Sequence, residues 1–156
     1  MNALQRLTPV NAVLALLTPH DIWPARLADL GFRKEGLEVP VRSSSTTTVL
    51  DVLAGQAATN LLLGFECKSG ANVAEPQAQR LKIMSAKDVV RTGAVTLRSP
   101  SDVKLEIAYV CLAQYAERVT LGMKRCQWNP PVLAVGEKRD RLWLACFRTP
   151  TYRVPS

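Results

Sequence analysis

The chain has 156 residues, a hydrophobic content of 47% and a charged content of 21%. That is enough chain for one domain with its own core, and the composition excludes general disorder. The formal charge of +7 is uneven, with five Lys/Arg against six Asp/Glu in residues 1–66 and fifteen against seven in residues 67–156. A polyanion lying across the basic part fits this imbalance, as does a generic basic surface. No apolar run approaches the ~20 residues of a membrane span. The N-terminal apolar stretch is broken by Asn11 and closed by Pro19, without the small-residue cleavage pattern of a signal peptide.

In chain order, Thr8-Pro9 predicts a helix start, with Thr8 as cap and Pro9 in the first turn. This helix runs through Val13, Leu14, Leu16 and Leu17 to a stop before Pro19. Its apolar character suits either the core or a surface that pairs two copies of the chain. A second helix is expected from a cap near Asp21, with Leu27, Ala28 and Leu30 inward and Gly31 as its stop. Leu37 to Val41 predicts a strand, and Arg42 to Thr46 a polar turn. Val49 to Leu53 predicts a second strand with Asp51 as its only charge, and Leu61 to Lys68 a buried central third.

A single helix is then expected from Glu75-Pro76 to about Arg91, closed by Gly93, and a fourth strand over Ala94 to Leu97. Ser99-Pro100-Ser101-Asp102 predicts the cap of a long helix reaching about Lys124. Its apolar stripe is Leu105, Ala108, Tyr109, Leu112, Ala116, Val119 and Met123. Pro130-Pro131 opens a strand to Val135, Gly136 to Asp140 is a turn, and Arg141 to Phe147 is the last strand. The sum is a single α/β domain over residues 1–148, a mixed central sheet flanked by helices, with a weakly ordered tail over 149–156.

Successive side chains of a strand alternate faces, so Glu66 and Lys68 share one face while Phe65 and Cys67 point to the other. With the 49–53 strand as neighbour, Asp51 and Glu66 come within reach of one cation, with Lys68 beside them. Two carboxylates and an ammonium at strand ends suit phosphodiester hydrolysis assisted by a hard divalent cation. The four cysteines form no CxxC, and His20 is the only histidine. A structural zinc site is therefore not expected, whereas buried free thiols in a reducing cytoplasm are.

Asp51 followed by Glu66-Cys67-Lys68 resembles the PD-(D/E)XK, or restriction-endonuclease-like, nuclease superfamily. The layout is most similar to its Holliday-junction-resolvase-like branch, and the resemblance covers roughly Asp21 to Leu81. Leu50 stands where the family often has proline. The resemblance implies an αβββαβ core, here with an added helix and a C-terminal hairpin. It implies a Mg²⁺-dependent endonuclease acting on DNA, with Mn²⁺ as substitute, in which a metal-activated water attacks phosphorus. Asp51 and Glu66 are then metal ligands with the Cys67 backbone carbonyl, and Lys68 is the catalytic lysine. Asp21 is either a further ligand or a helix cap. Gln77 or Gln79 would orient the scissile phosphate, or be a solvated helix side chain. Arg80, Lys82 and Lys87 are expected on the DNA-facing surface. The alternative is a nuclease-fold module that binds nucleic acid, or assembles with other proteins, without cleaving.

Overall fold

Leu61–Lys68, here β3, is apolar along most of its length and sits inside a sheet, with strands on both sides. The computed structural model describes residues 3–19, 26–96, 102–138 and 141–147. Before β3 come α1 (Ala3–Leu16), β1 (Arg33–Ser43) and β2 (Thr46–Gln56). After it come α2 (Glu75–Ile83), α3 (Ala86–Val90), β4 (Lys104–Leu112), α4 (Ala116–Arg125), β5 (Val132–Lys138) and β6 (Arg141–Phe147). The strands form one mixed sheet in the order β1-β2-β3-β4-β5-β6. Pairing is antiparallel from β1 to β3, parallel from β3 to β5, and antiparallel again between β5 and β6. The fold is α/β, with helices on both faces and the expected order of helix, three strands, helix and strand.

On one face Ala12, Val13 and Leu17 of the α1 region pack with Phe32, Val52, Ala54, Phe65 and Val110. On the other, Leu81, Val89, Val119 and Met123 from α2, α3 and α4 pack with Leu53, Leu62 and Tyr109. Phe65 and Glu66 thus point into opposite layers, as the alternation requires. No helix among the described residues is long and apolar enough to cross a membrane.

Several elements differ from the sequence expectation. α1 begins at Ala3, so Pro9 lies within the helix rather than opening it. Proline there forfeits one helical hydrogen bond, but Pro9 is buried with the apolar residues that follow. The expected 75–91 helix is two helices, because Ser85 accepts the Asp88 N–H and Asp88 accepts the Ser85 N–H in a capping box. The fourth strand is not at Ala94–Leu97: residues 94–96 are irregular, and Leu97 lies outside the described residues. It is β4, cut from the first half of the expected long helix, and a 3-10 turn at Ala113–Tyr115 separates it from α4.

The reason is tertiary. Lys104 to Cys111 completes an eight-residue parallel ladder on β3, from Leu61–Lys104 to Lys68–Cys111. Ile107, Tyr109 and Val110 suit a pleated, buried strand better than a helix. β1 starts earlier than Leu37, and its hairpin to β2 turns on Ser44-Ser45 alone. β5 runs through Gly136 to Lys138 rather than stopping at Val135. The expected cap at Asp21, the cap at 99–101 and the tail 149–156 lie outside the described residues. A 3-10 turn at Leu27–Leu30 ends on Gly31 at φ 84°, a left-handed position that glycine adopts without strain.

Candidate active site

The site forms where β2 and β3 part. Their paired residues end at Val52–Phe65, one step before Asp51 and Glu66 would face each other. On the other side of β2 the pairing skips Glu38 opposite Asp51, and Glu38 has φ 47°. The facing of β2 slips at the same point: Leu50 and Leu53 belong to the α2–α4 layer, Val52 and Ala54 to the α1 layer. Past the end of the ladder the Cys67 N–H has no β2 carbonyl, and Asp51 Oδ2 takes its place as acceptor at 2.6 Å. In extended backbone a residue's N–H and C=O point to the same side of the strand. The Cys67 carbonyl therefore faces the edge where the Asp51 carboxylate lies.

Glu66 is 4% exposed. Its Oε1 accepts from Lys68 Nζ at 2.9 Å and from Gln77 Nε2 at 2.7 Å. Gln77 Oε1 accepts from the same Lys68 Nζ at 2.7 Å, closing a three-residue ring. α2 starts with proline in its first turn soon after β3 ends, and this sets Gln77 over the Glu66–Lys68 face. Glu66 Oε2 is buried with no hydrogen-bond partner, an arrangement that costs free energy unless something fills it.

Burial raises the pKa of Glu66, against the bond and charge of Lys68; the Asp51 charge adds to the rise and the Gln77 bond opposes it. Asp51 is likewise raised by burial, opposed by the Cys67 N–H and the Lys68 charge, with Glu38 adding to the rise. The Cys67 thiol is pushed far up, first by burial and then by the Asp51 and Glu66 charges. It is a neutral thiol packed against the α1 layer.

The structure thus brings Asp51, Glu66, Lys68 and Gln77 together. Gln79 and Lys82 instead turn to the end of α4, donating to the Cys126 carbonyl at 3.4 and 3.5 Å. They satisfy an orphan helix-terminal acceptor. Arg80 is half-buried, its Nε enclosed without a partner, and Lys87 is exposed on α3. Asp21 lies outside the described residues.

Two neighbours were not legible as such. Glu38 bears on Asp51 through the skipped pair. Tyr109 pairs with Glu66 across β3 and β4; its hydroxyl is buried without a partner, and its ring meets Trp128 edge-on at 5.7 Å. Burial, then the charge of Glu66, pushes the Tyr109 phenol well above its ordinary range. Tyr109 reads as one turn of a helical stripe until β4 is placed. All four cysteines are free; Cys111 and Cys126 are buried, Cys67 is half-buried and Cys146, against expectation, is exposed.

The MJECL32 domain family matches residues 6–122, three-quarters of the chain and all of the Asp51–Glu66–Lys68–Gln77 cluster. The chain belongs to that family. The MJECL32 span runs from α1 into α4, so β5 and β6 follow it. No curated protein and no solved structure matches the chain.

Among the described residues no three His, Cys, Asp or Glu side chains gather as a metal cluster. The donors near one another are two carboxylates and the carbonyl edge at Cys67. All are hard oxygens of the kind Mg²⁺ accepts while keeping several waters. The unpartnered Glu66 Oε2 is the observation that fits a cation to this MJECL32 site.

Proposed function

We propose that this MJECL32 domain is a metal-dependent DNA endonuclease of PD-(D/E)XK type. The observation that carries the reading is the asymmetric Glu66 carboxylate: Oε1 is held by Lys68 and Gln77, Oε2 is buried and unpartnered, and the Asp51 charge is near enough to raise the Glu66 pKa. Asp51, Glu66 and the Cys67 carbonyl would hold Mg²⁺ or Mn²⁺, which when bound makes water more acidic and offsets charge on phosphate oxygens. Lys68 holds the attacking water or stabilises the charge that develops at phosphorus. Its ammonium is fixed by Glu66 and Gln77, so its position is set before substrate arrives. Gln77 orients Lys68 in turn through its Oε1, and its amide would help to orient the scissile phosphate.

A second reading, a module that keeps the fold without cleaving, draws on Leu50 in the proline position and on the existing ion pair of Lys68. Plasmid nicking separates the two. The expected outcome is cleavage with Mg²⁺ or Mn²⁺ that stops with EDTA. DNA binding without cleavage under any divalent cation supports the second reading.

A further inference from the structure

From the geometry beyond the catalytic cluster we infer that the groove between residues 71–73 and α4 is a phosphate-backbone site for the DNA strand. This inference rests on the endonuclease reading and names where the substrate runs. The groove has a volume of about 400 Å³ and is lined by Ala71, Asn72, Val73, Arg118, Leu121 and Arg125. It opens three residues after Lys68, along the chain segment that leaves the catalytic strand.

Arg118, Leu121 and Arg125 are spaced i, i+3, i+7, which puts them on one helix face, and all three are exposed. Among the described residues neither arginine forms an ion pair. Guanidinium groups in that state suit phosphate oxygens, which they bind as planar forks. Asn72, also exposed, adds an amide on the facing wall.

The two walls are fixed to one another. A Cβ at Gly122 would lie 2.8 Å from Val73 Cγ2 and 2.9 Å from Val73 Cβ, so the missing side chain is what lets 71–73 lie on α4. That contact sets both arginines relative to Lys68. A solvated basic helix face would need no such close packing of a loop against it.

The test is fluorescence anisotropy of a labelled DNA duplex in EDTA, over a series of salt concentrations. Three proteins are compared: wild type, Arg118→Ala/Arg125→Ala, and a control, Arg33→Ala/Lys34→Ala. The control residues are exposed on β1 and pair with Gly55 and Ala54, at the far end of the sheet from Lys68. Each phosphate contact contributes about 0.9 to the slope of log affinity against log salt for duplex DNA. The Arg118/Arg125 variant is expected to have a slope shallower by about two such contacts, with the control unchanged and both variants melting like wild type. Equal slopes for wild type and the Arg118/Arg125 variant overturn the groove alone and leave the endonuclease reading standing. Equal losses in the control overturn it too, because binding is then diffuse. A wild type that binds no DNA at low salt overturns both.

Discussion

The Glu66 carboxylate gives Oε1 to Lys68 and Gln77 and leaves Oε2 buried with no partner. Burial raises its pKa despite the ammonium beside it. The folded chain therefore binds this proton more tightly than the unfolded chain does. The associated stability is fully present below the ordinary carboxylate range and is lost as pH rises through the raised value. Glu66→Gln mimics the protonated form. Without metal, the variant is expected to unfold at the wild-type temperature at acid pH and at a higher one at neutral pH, by calorimetry. Mn²⁺ should reverse the order at neutral pH: at a hundred times its Kd a cation stabilises the wild type by about 2.7 kcal/mol. The variant should gain far less. A wild type that Mn²⁺ does not stabilise contradicts the cation site, whatever its cleavage activity.

Among the elements, the junction of 71–73 with α4 makes a sharp demand on one residue. Gly122→Ala adds helix propensity worth about 1 kcal/mol but drives a methyl into Val73 at backbone-proximal atoms. Overpacking of this kind typically costs about 1–3 kcal/mol, so a net loss of stability is expected in urea unfolding. Val73→Gly in the same chain removes both clashing atoms and should recover part of it; if Gly122→Ala alone is stabilising, the two walls are not in contact. Ser85→Ala should cost about 1 kcal/mol by uncapping α3, again read from the urea midpoint.

The same elements mark what the sequence could convey. The Glu66–Lys68 shared face was legible because a period of two needs only the strand itself. Ser85-Ala86-Lys87-Asp88 carried a capping box, so the break after Ile83 was also there to be read. The strand at Lys104–Leu112 was not, since Leu105, Ala108, Tyr109 and Leu112 fit a helical stripe equally well. Only the vacant edge of β3 decides it. Nor could spacing reveal the parting of β2 from β3 at Asp51, where the pair with Glu38 is skipped as well. Gln77 and Gln79 are two residues apart and so lie about 200° apart around α2; only the packed helix shows that Gln77 faces Glu66 and Lys68.

At the scale of the whole molecule, the mixed sheet puts the acidic site at the end of β3, and the chain beyond it is rich in Lys and Arg. The apolar residues Ala12, Val13 and Leu17 near the N-terminus are buried against the chain's own sheet, so that part of the sequence has a use within one copy. In the proposed endonuclease, Lys68 acts in cleavage while other groups carry most of the DNA binding. The direct measurement is single-turnover cleavage of duplex DNA with Mg²⁺, paired with binding of the same duplex in EDTA, for wild type and Lys68→Ala. A water-positioning or acid–base group is worth about 10²–10⁴ in rate, so the variant is expected to cleave at least about a hundredfold more slowly while binding within a small factor. Cleavage by Lys68→Ala at the wild-type rate would contradict the assignment.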